Sequence, residues 1–222
     1  MGQEYLRQIL VLGSVPALGP VDMYDDMEGT FKWSKAGTGG DDVLEKSITV
    51  AYNASASMHA KTRTTTATDG DYIDAKRRVY ARASKRYRIE LIWKFTTLAA
   101  NKEFFTQLVV EDGAYAHAVG LKFLPNSAKW QYQNVAGTFS DVPGGAQSLA
   151  ADNWHRLLFE FDQSTGKMVT MVSDSLNLDL SDLSYYKSAH VVAEESILAI
   201  RAIAHTSPPA EIYVDDVLIL EV

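Results

Sequence analysis

The chain has 222 residues, no cysteine and a formal net charge of −7. That length suits one all-β domain or two smaller ones, and it buries enough surface to fold without staples. No disulfide can form, the acidic balance argues against general nucleic-acid binding, and no apolar run approaches the roughly 20 residues of a membrane span.

The chain opens on "MGQEYLRQILVLGSVPALGP", with a short apolar stretch from Ile9 to Leu12 and a Val15-Pro16-Ala17 that mimics a cleavage site. The apolar stretch is shorter than in a typical signal peptide, and Glu4 sits in the leading region. Residues 1–20 therefore read as an apolar arm, broken by Gly13, Pro16, Gly19 and Pro20, ahead of one domain at 21–222. A virion or cytoplasmic location is expected before a secreted one. Such an arm must cover Leu6, Ile9, Leu10 and Leu12 against its own domain or a neighbour's, which makes them candidate interface residues.

"YDDMEGTFKW" follows, setting Asp25, Asp26 and Glu28 among aromatic residues. Turn clusters occur at "AGTGGDD" and "TATDGD". The stretch from Lys76 to Arg88, "KRRVYARASKRYR", holds seven of the 21 lysines and arginines. By default it is a solvated strand face and loop. The sharper reading makes Arg77, Arg78, Arg82, Lys85 and Arg86 a basic stripe that meets an acidic neighbour or an anionic polymer.

From here the dominant period is two. Tyr87, Ile89, Leu91, Trp93 and Phe95 alternate with Arg88, Glu90, Ile92 and Lys94, as in a strand with one buried face. "EFFTQLVV" and "AYAHAVGLKFL" flank Asp112-Gly113, a short-hairpin signal. "WHRLLFEFD" and "KMVTMVSD" flank "QSTG" in a second hairpin. "EESILAIRAIAH" also fits a helical face through Ile197, Ile200, Arg201 and Ala204, but its neighbours decide for strand. Turn signals about every ten residues suit a sandwich or jelly roll.

Aromatic rings stack on pyranose faces. Trp130 and Tyr132 in "KWQYQ" lie two apart on one face of a strand, and Tyr185 and Tyr186 follow a polar loop. These four are candidate ligand-binding residues. The competing reading packs such rings into the core, and it is preferred for Trp33, Trp93 and Trp154. The chain closes on "EIYVDDVLILEV", where Asp215 and Asp216 interrupt a strand.

"DDMEGTFKW", "AYNASASMHAKTRT", "SKRYRIELIWKF" and "AEIYVDDVLI" occur in that order. Together they resemble the jelly-roll sandwiches of the carbohydrate-binding-module and concanavalin A-like lectin superfamilies. "DNWHRLLFEFDQSTGKMVTMVSD" is similar to the late strands of laminin-G-like domains. The resemblance spans about residues 21 to 222 and implies a single antiparallel jelly-roll β-sandwich. It also implies a structural Ca²⁺ held by Glu28 with Asp215 or Asp216, since such an ion takes six to eight oxygens. The alternative is that Asp25 and Asp26 cap a turn while Asp215 and Asp216 mark a bulge. No cofactor is expected to be essential.

Catalytic residues are not expected. Glycosidases of the resembling fold carry Glu-x-Asp-x-Glu on one strand, and Glu211 to Asp215 lacks that spacing. The histidines at 59, 117, 155, 190 and 205 are scattered, and no nucleophile elbow or phosphate loop appears. Two functions remain. One is a non-catalytic structural or assembly protein, such as a phage or virus capsid decoration, capsid-associated or tail protein, which self-associates or joins a larger particle. The alternative is a carbohydrate-binding module with a glycan partner.

Overall fold

The computed structural model describes residues 21–38, 40–52, 55–79, 81, 85–111, 114–189, 196–205 and 207–222. Apart from a 3-10 turn at Pro125–Ser127, the regular elements are strands in two sheets, and every pairing is antiparallel. Sheet A runs β13 (Leu176–Asp179), β12 (Lys167–Ser173), β11 (His155–Asp162), β6 (Arg86–Phe95), β16 (Glu211–Glu221), β4 (Ser57–Lys61) and β3 (Val43–Ser47). β1 (Val21–Asp25) also pairs with β16 in that sheet. Sheet B runs β10 (Phe139–Ala146), β9 (Lys129–Gln133), β8 (Tyr115–Leu124), β7 (Asn101–Glu111), β15 (Ser196–Ala204), β5 (Tyr72–Val79) and β2 (Ser34–Gly37). β14 (Tyr186–Ala189) pairs with β8. First and last strands lie side by side, and the two sheets close into a jelly-roll sandwich.

Both expected hairpins form, as β7 with β8 and β11 with β12. The turn residues Asp112 and Gly113 lie outside the described residues. β15 is the strand expected over the helix-compatible stretch. Its buried and half-buried positions alternate along the whole element, and β7 and β5 saturate its two edges. Pairing on both edges outweighs a local period that is compatible with helix.

The core sits between the sheets. Tyr87, Ile89, Leu91, Trp93 and Phe95 of β6 are all fully buried, as their alternation predicts. They meet Phe104, Leu108, Val119, Leu121, Phe123, Leu198 and Ile200 from sheet B in one cluster. Trp93 stacks face to face on Phe104, with ring centroids 3.7 Å apart and planes 7° from parallel. Trp130 meets Trp93 edge-on at 6.3 Å. Each ring removed from water contributes about 1.5–3 kcal/mol, and favourable ring geometry adds about 0.5–1.5 kcal/mol. Trp93→Ala therefore lowers the unfolding free energy by about 3–5 kcal/mol. Denaturant titration of the variant checks that value, and a loss under about 1 kcal/mol contradicts the central place of this ring.

Candidate functional site

The outward face of sheet B carries a continuous row of charged, amide and aromatic side chains. Cross-strand register places Asp74 beside Arg201, Arg201 beside Phe105, Phe105 beside Lys122, Lys122 beside Gln131, and Gln131 beside Asp141. Six strands thus contribute one position each. At about 4.8 Å per strand the row is about 24 Å long. A second row lies alongside, with Gln107 opposite Gly120 and Gln133 opposite Phe139.

Contacts within these rows fix their side chains. Arg201 makes two hydrogen bonds to Asp74, at 2.5 and 2.9 Å, and its guanidinium lies over the Tyr72 ring at 4.6 Å. The Asp74 hydrogen bond raises the arginine's pKa against the opposing effect of burial. Lys122 sits 3.3 Å from Glu103 and lies over the Phe139 ring at 4.3 Å. Phe105 meets Phe139 edge-on at 5.3 Å. Position 120 has no room for a side chain, because a Cβ there would stand 2.7 Å from the Phe105 ring. Gln107 donates to Gln133 at 2.6 Å, and Gln133 donates onward to the Gly137 carbonyl. Asp141 accepts from Lys129 and Gln131, both at 2.7 Å, and those two bonds lower its pKa.

Of the four rings expected to bind ligand, two are core residues. Trp130 is fully buried, with its indole N–H donating to Gln147, and Tyr185 is buried with its hydroxyl near His117. Tyr132 is partly buried against the core. Tyr186 faces outward on β14, opposite Ala118 and packed beside Gly137. In "KWQYQ" Gln131 and Gln133 face outward while Trp130 and Tyr132 face in. A one-residue step exchanges the two faces of a strand. Arg201, Phe105, Lys122, Gln107 and Phe139 carry no local sequence signal, since only cross-strand register assembles them.

The acids near the two termini accept hydrogen bonds from nearby backbone and side-chain groups. Glu28 accepts from the Ser55 and Ala56 amides, both at 2.8 Å, and from the Ser55 hydroxyl at 2.5 Å. The hydroxyl bond leads the lowering of its pKa. Asp215, fully buried, accepts from the Tyr52 amide at 2.8 Å and from the Asp216 amide at 2.9 Å. Asp216 accepts from the Tyr24 hydroxyl at 3.2 Å and has a positive φ of 47° at a register shift in β16. Asp26 caps a turn through the Glu28 amide. Turn caps and a bulge account for these residues. Among the described residues no group of three or more His, Asp or Glu is placed to hold a metal.

The basic stripe is largely matched within the chain. Arg77 points inward and pairs with Asp25, which also accepts from the Trp33 indole at 3.1 Å. Lys85 pairs with Glu221 at 2.7 Å, and Arg86 and Arg88 share Glu160 at 2.5 Å each. Arg78 is exposed. Leu6, Ile9, Leu10, Leu12 and Arg82 lie outside the described residues. The surplus acid of the rest of the chain thus meets the stripe internally.

The outward face of sheet A carries a second cluster, in which Glu45, His59, Tyr213 and Lys94 are cross-strand neighbours. His59 stacks on Tyr213 at 4.7 Å and lies between two carboxylates, Glu211 at 2.8 Å and Glu45 at 3.2 Å. Lys61 stands 3.7 Å from Glu211, and the Tyr213 hydroxyl donates to Glu211 at 3.0 Å. Burial disfavours a charged imidazole, but the bonds to Glu211 and Glu45 outweigh it and raise the His59 pKa. The same His59 bond holds Glu211 down at about 2. Burial, then Glu211, pushes the Tyr213 phenol well up, so the hydroxyl stays protonated near neutral pH.

No family model matches the sequence, and no curated protein is similar to it. Solved structures are. The cellulose-induced protein Cip1 matches with a TM-score of 0.56 and 12% identity, over 89% of this chain and 96% of that one. A carbohydrate esterase from the Shiga toxin-encoding bacteriophage phi24B matches with a TM-score of 0.53 and 15% identity, over 86% and 90%. The alginate lyase Aly36B, solved with an alginate trisaccharide, matches with a TM-score of 0.52 and 9% identity, over 91% and 99%. The fold is a jelly roll. Identities this low show the fold alone.

The His59 cluster gives a pH profile. Protonated His59 stabilises the fold fully below the ordinary value of 6.5, and that contribution disappears as pH rises through the raised folded value. Glu211 acts oppositely: its contribution is present above 4.5 and is lost as pH falls toward about 2. Denaturant unfolding across pH should show both limbs in the wild type. His59→Gln should flatten the alkaline limb, and an unchanged slope there contradicts the assignment.

Proposed function

We propose that the chain is a non-catalytic carbohydrate-binding domain whose glycan lies along the outward face of sheet B. The observation that carries this reading is the Arg201–Phe105–Lys122–Gln131 row, flanked by Gln107, Gln133 and Phe139. Amides both donate and accept, as sugar hydroxyls do, and the partly exposed Phe139 ring offers a face for C–H contacts. That the structural neighbours include a carbohydrate esterase and an alginate lyase supports the same reading.

Charge favours hydroxyl recognition over ionic recognition. Arg201 is matched by Asp74 and Lys122 by Glu103 on the same face. These pairs also argue against catalysis. A general acid needs surroundings that keep its proton on, whereas Asp74, Glu103 and Asp141 each touch a cation. The assembly role expected from the arm and the basic stripe has less support. The arm lies outside the described residues, and three of the stripe's five cations, Arg77, Lys85 and Arg86, have acidic partners.

A glycan array with the purified chain should give hits whose strength changes little between about 50 and 500 mM salt, since screening weakens only unmatched exposed charge. Gln133→Ala and Phe139→Ala should each weaken binding about tenfold, the size of one good contact of about 1.4 kcal/mol. Self-association without any glycan hit would restore the assembly reading. We further propose that Glu28 and Asp215 anchor the loop between β3 and β4 directly. Neither a chelator nor millimolar Ca²⁺ should then move the melting temperature; a rise with Ca²⁺ would show the ion binding to the native state.

A further inference from the structure

Three of the four tryptophans, Trp33, Trp93 and Trp130, are core residues at 6%, 0% and 0% exposure. Trp154 is different. It lies just before β11, on the outward side of sheet A, and is partly exposed. Its ring meets Tyr52, at 5.8 Å and inclined by 58°, and Tyr52 is 49% exposed. Two large rings at the surface of an acidic domain have a hydration cost that their own packing does not remove.

Their presentation is rigid. The Tyr52 amide donates to buried Asp215, and three residues later Ser55 and Ala56 are held by Glu28. The loop is therefore pinned at two points on either side of residues 53 and 54, and the Tyr52 backbone loses little freedom when a ligand arrives. Asp152, two residues before Trp154, brings polar groups to this end of β11. Lys94 and Asp152 pair at 2.6 Å, Lys94 lies over the Tyr213 ring at 5.7 Å, and the Asp152 side chain is 72% exposed. Asp152 is itself fixed by its amide, which donates to the Phe95 carbonyl at 2.7 Å.

We propose that Tyr52 and Trp154 form a second saccharide contact, on the opposite face of the sandwich from the row on sheet B. The proposal rests on the glycan reading above. Inclined rings supply the apolar contact that a pyranose C–H face needs, and the exposed Asp152 carboxylate and Lys94 ammonium suit its hydroxyls. A protein partner's interface core would instead be depleted of charge. With the sheets about 10 Å apart, the two sites cannot share one straight segment of polymer. The domain then bridges two saccharide chains and gains avidity on a polymer that it lacks on a short oligosaccharide.

Trp154 supplies its own readout, because a soluble quencher reaches a partly exposed indole before the buried ones. Acrylamide quenching of the full chain should be measured with and without soluble oligosaccharides of cellulose, β-glucan and alginate. A bound saccharide should protect the quenchable emission, and Trp154→Phe should remove that emission. Tyr52→Ala should weaken the protecting saccharide about tenfold while leaving the melting temperature near the wild type's. Binding that Gln133→Ala abolishes, with Trp154 still fully quenchable at saturation, overturns the second contact and leaves the first standing. A wild-type chain that binds no saccharide overturns both.

Discussion

Trp93 and Phe104 lie face to face across the sandwich, one ring from each sheet, and the remaining core is packed around that contact. Phe95, Phe123, Trp130 and His155 all have rings within 6.3 Å of the Trp93 ring. The indole N–H of Trp93 has no hydrogen-bond partner among the described residues. Leaving it so costs about 1–3 kcal/mol, whereas burying the ring and stacking it contributes about 2–4.5 kcal/mol. Burial wins, by a margin that depends on close fit. The stack therefore fixes how the two sheets face each other, and with it which positions of β7, β8 and β9 are turned outward.

Charge follows from that geometry. Once β5 is docked, its inward positions include Arg77, and a buried guanidinium needs a carboxylate. Asp25 provides one from β1 in the other sheet, so this ion pair ties the two layers together. Lys85, Arg86 and Arg88 find Glu221 and Glu160 on neighbouring strands. A cluster of cations and a net acidic chain thus become a set of local matches. The carboxylates near both termini have a similar economy: Glu28 and Asp215 fasten one loop across the first and last strands, and that loop carries Tyr52 to Trp154.

Two faces result, with different chemistry. Sheet B presents amides, matched ions and a phenylalanine pair in rows that run across the strands. Sheet A presents stacked His59 and Tyr213 among carboxylates, with an inclined tyrosine–tryptophan pair at the edge of that cluster. Strand registers are stiff, so both arrangements exist before any ligand binds.

The amino-acid sequence by itself determined the all-β class, the two hairpins and the inward set on β6. Each depends on neighbours within a few residues, where period two and turn residues are visible directly. Which face of a short strand turns outward was not visible. "KWQYQ" alternates, but alternation defines two faces without saying which one meets the core, and Trp130 turned inward because Trp93 and Phe123 await it from other strands. Likewise Arg77 looked like part of a surface stripe until Asp25, 52 positions earlier, was placed beside it. The row from Asp74 to Asp141 joins six strands whose order in the sheet differs from their order in the chain. Only tertiary structure could decide it, because cross-strand register is set by the packing of the whole sandwich and not by any one segment.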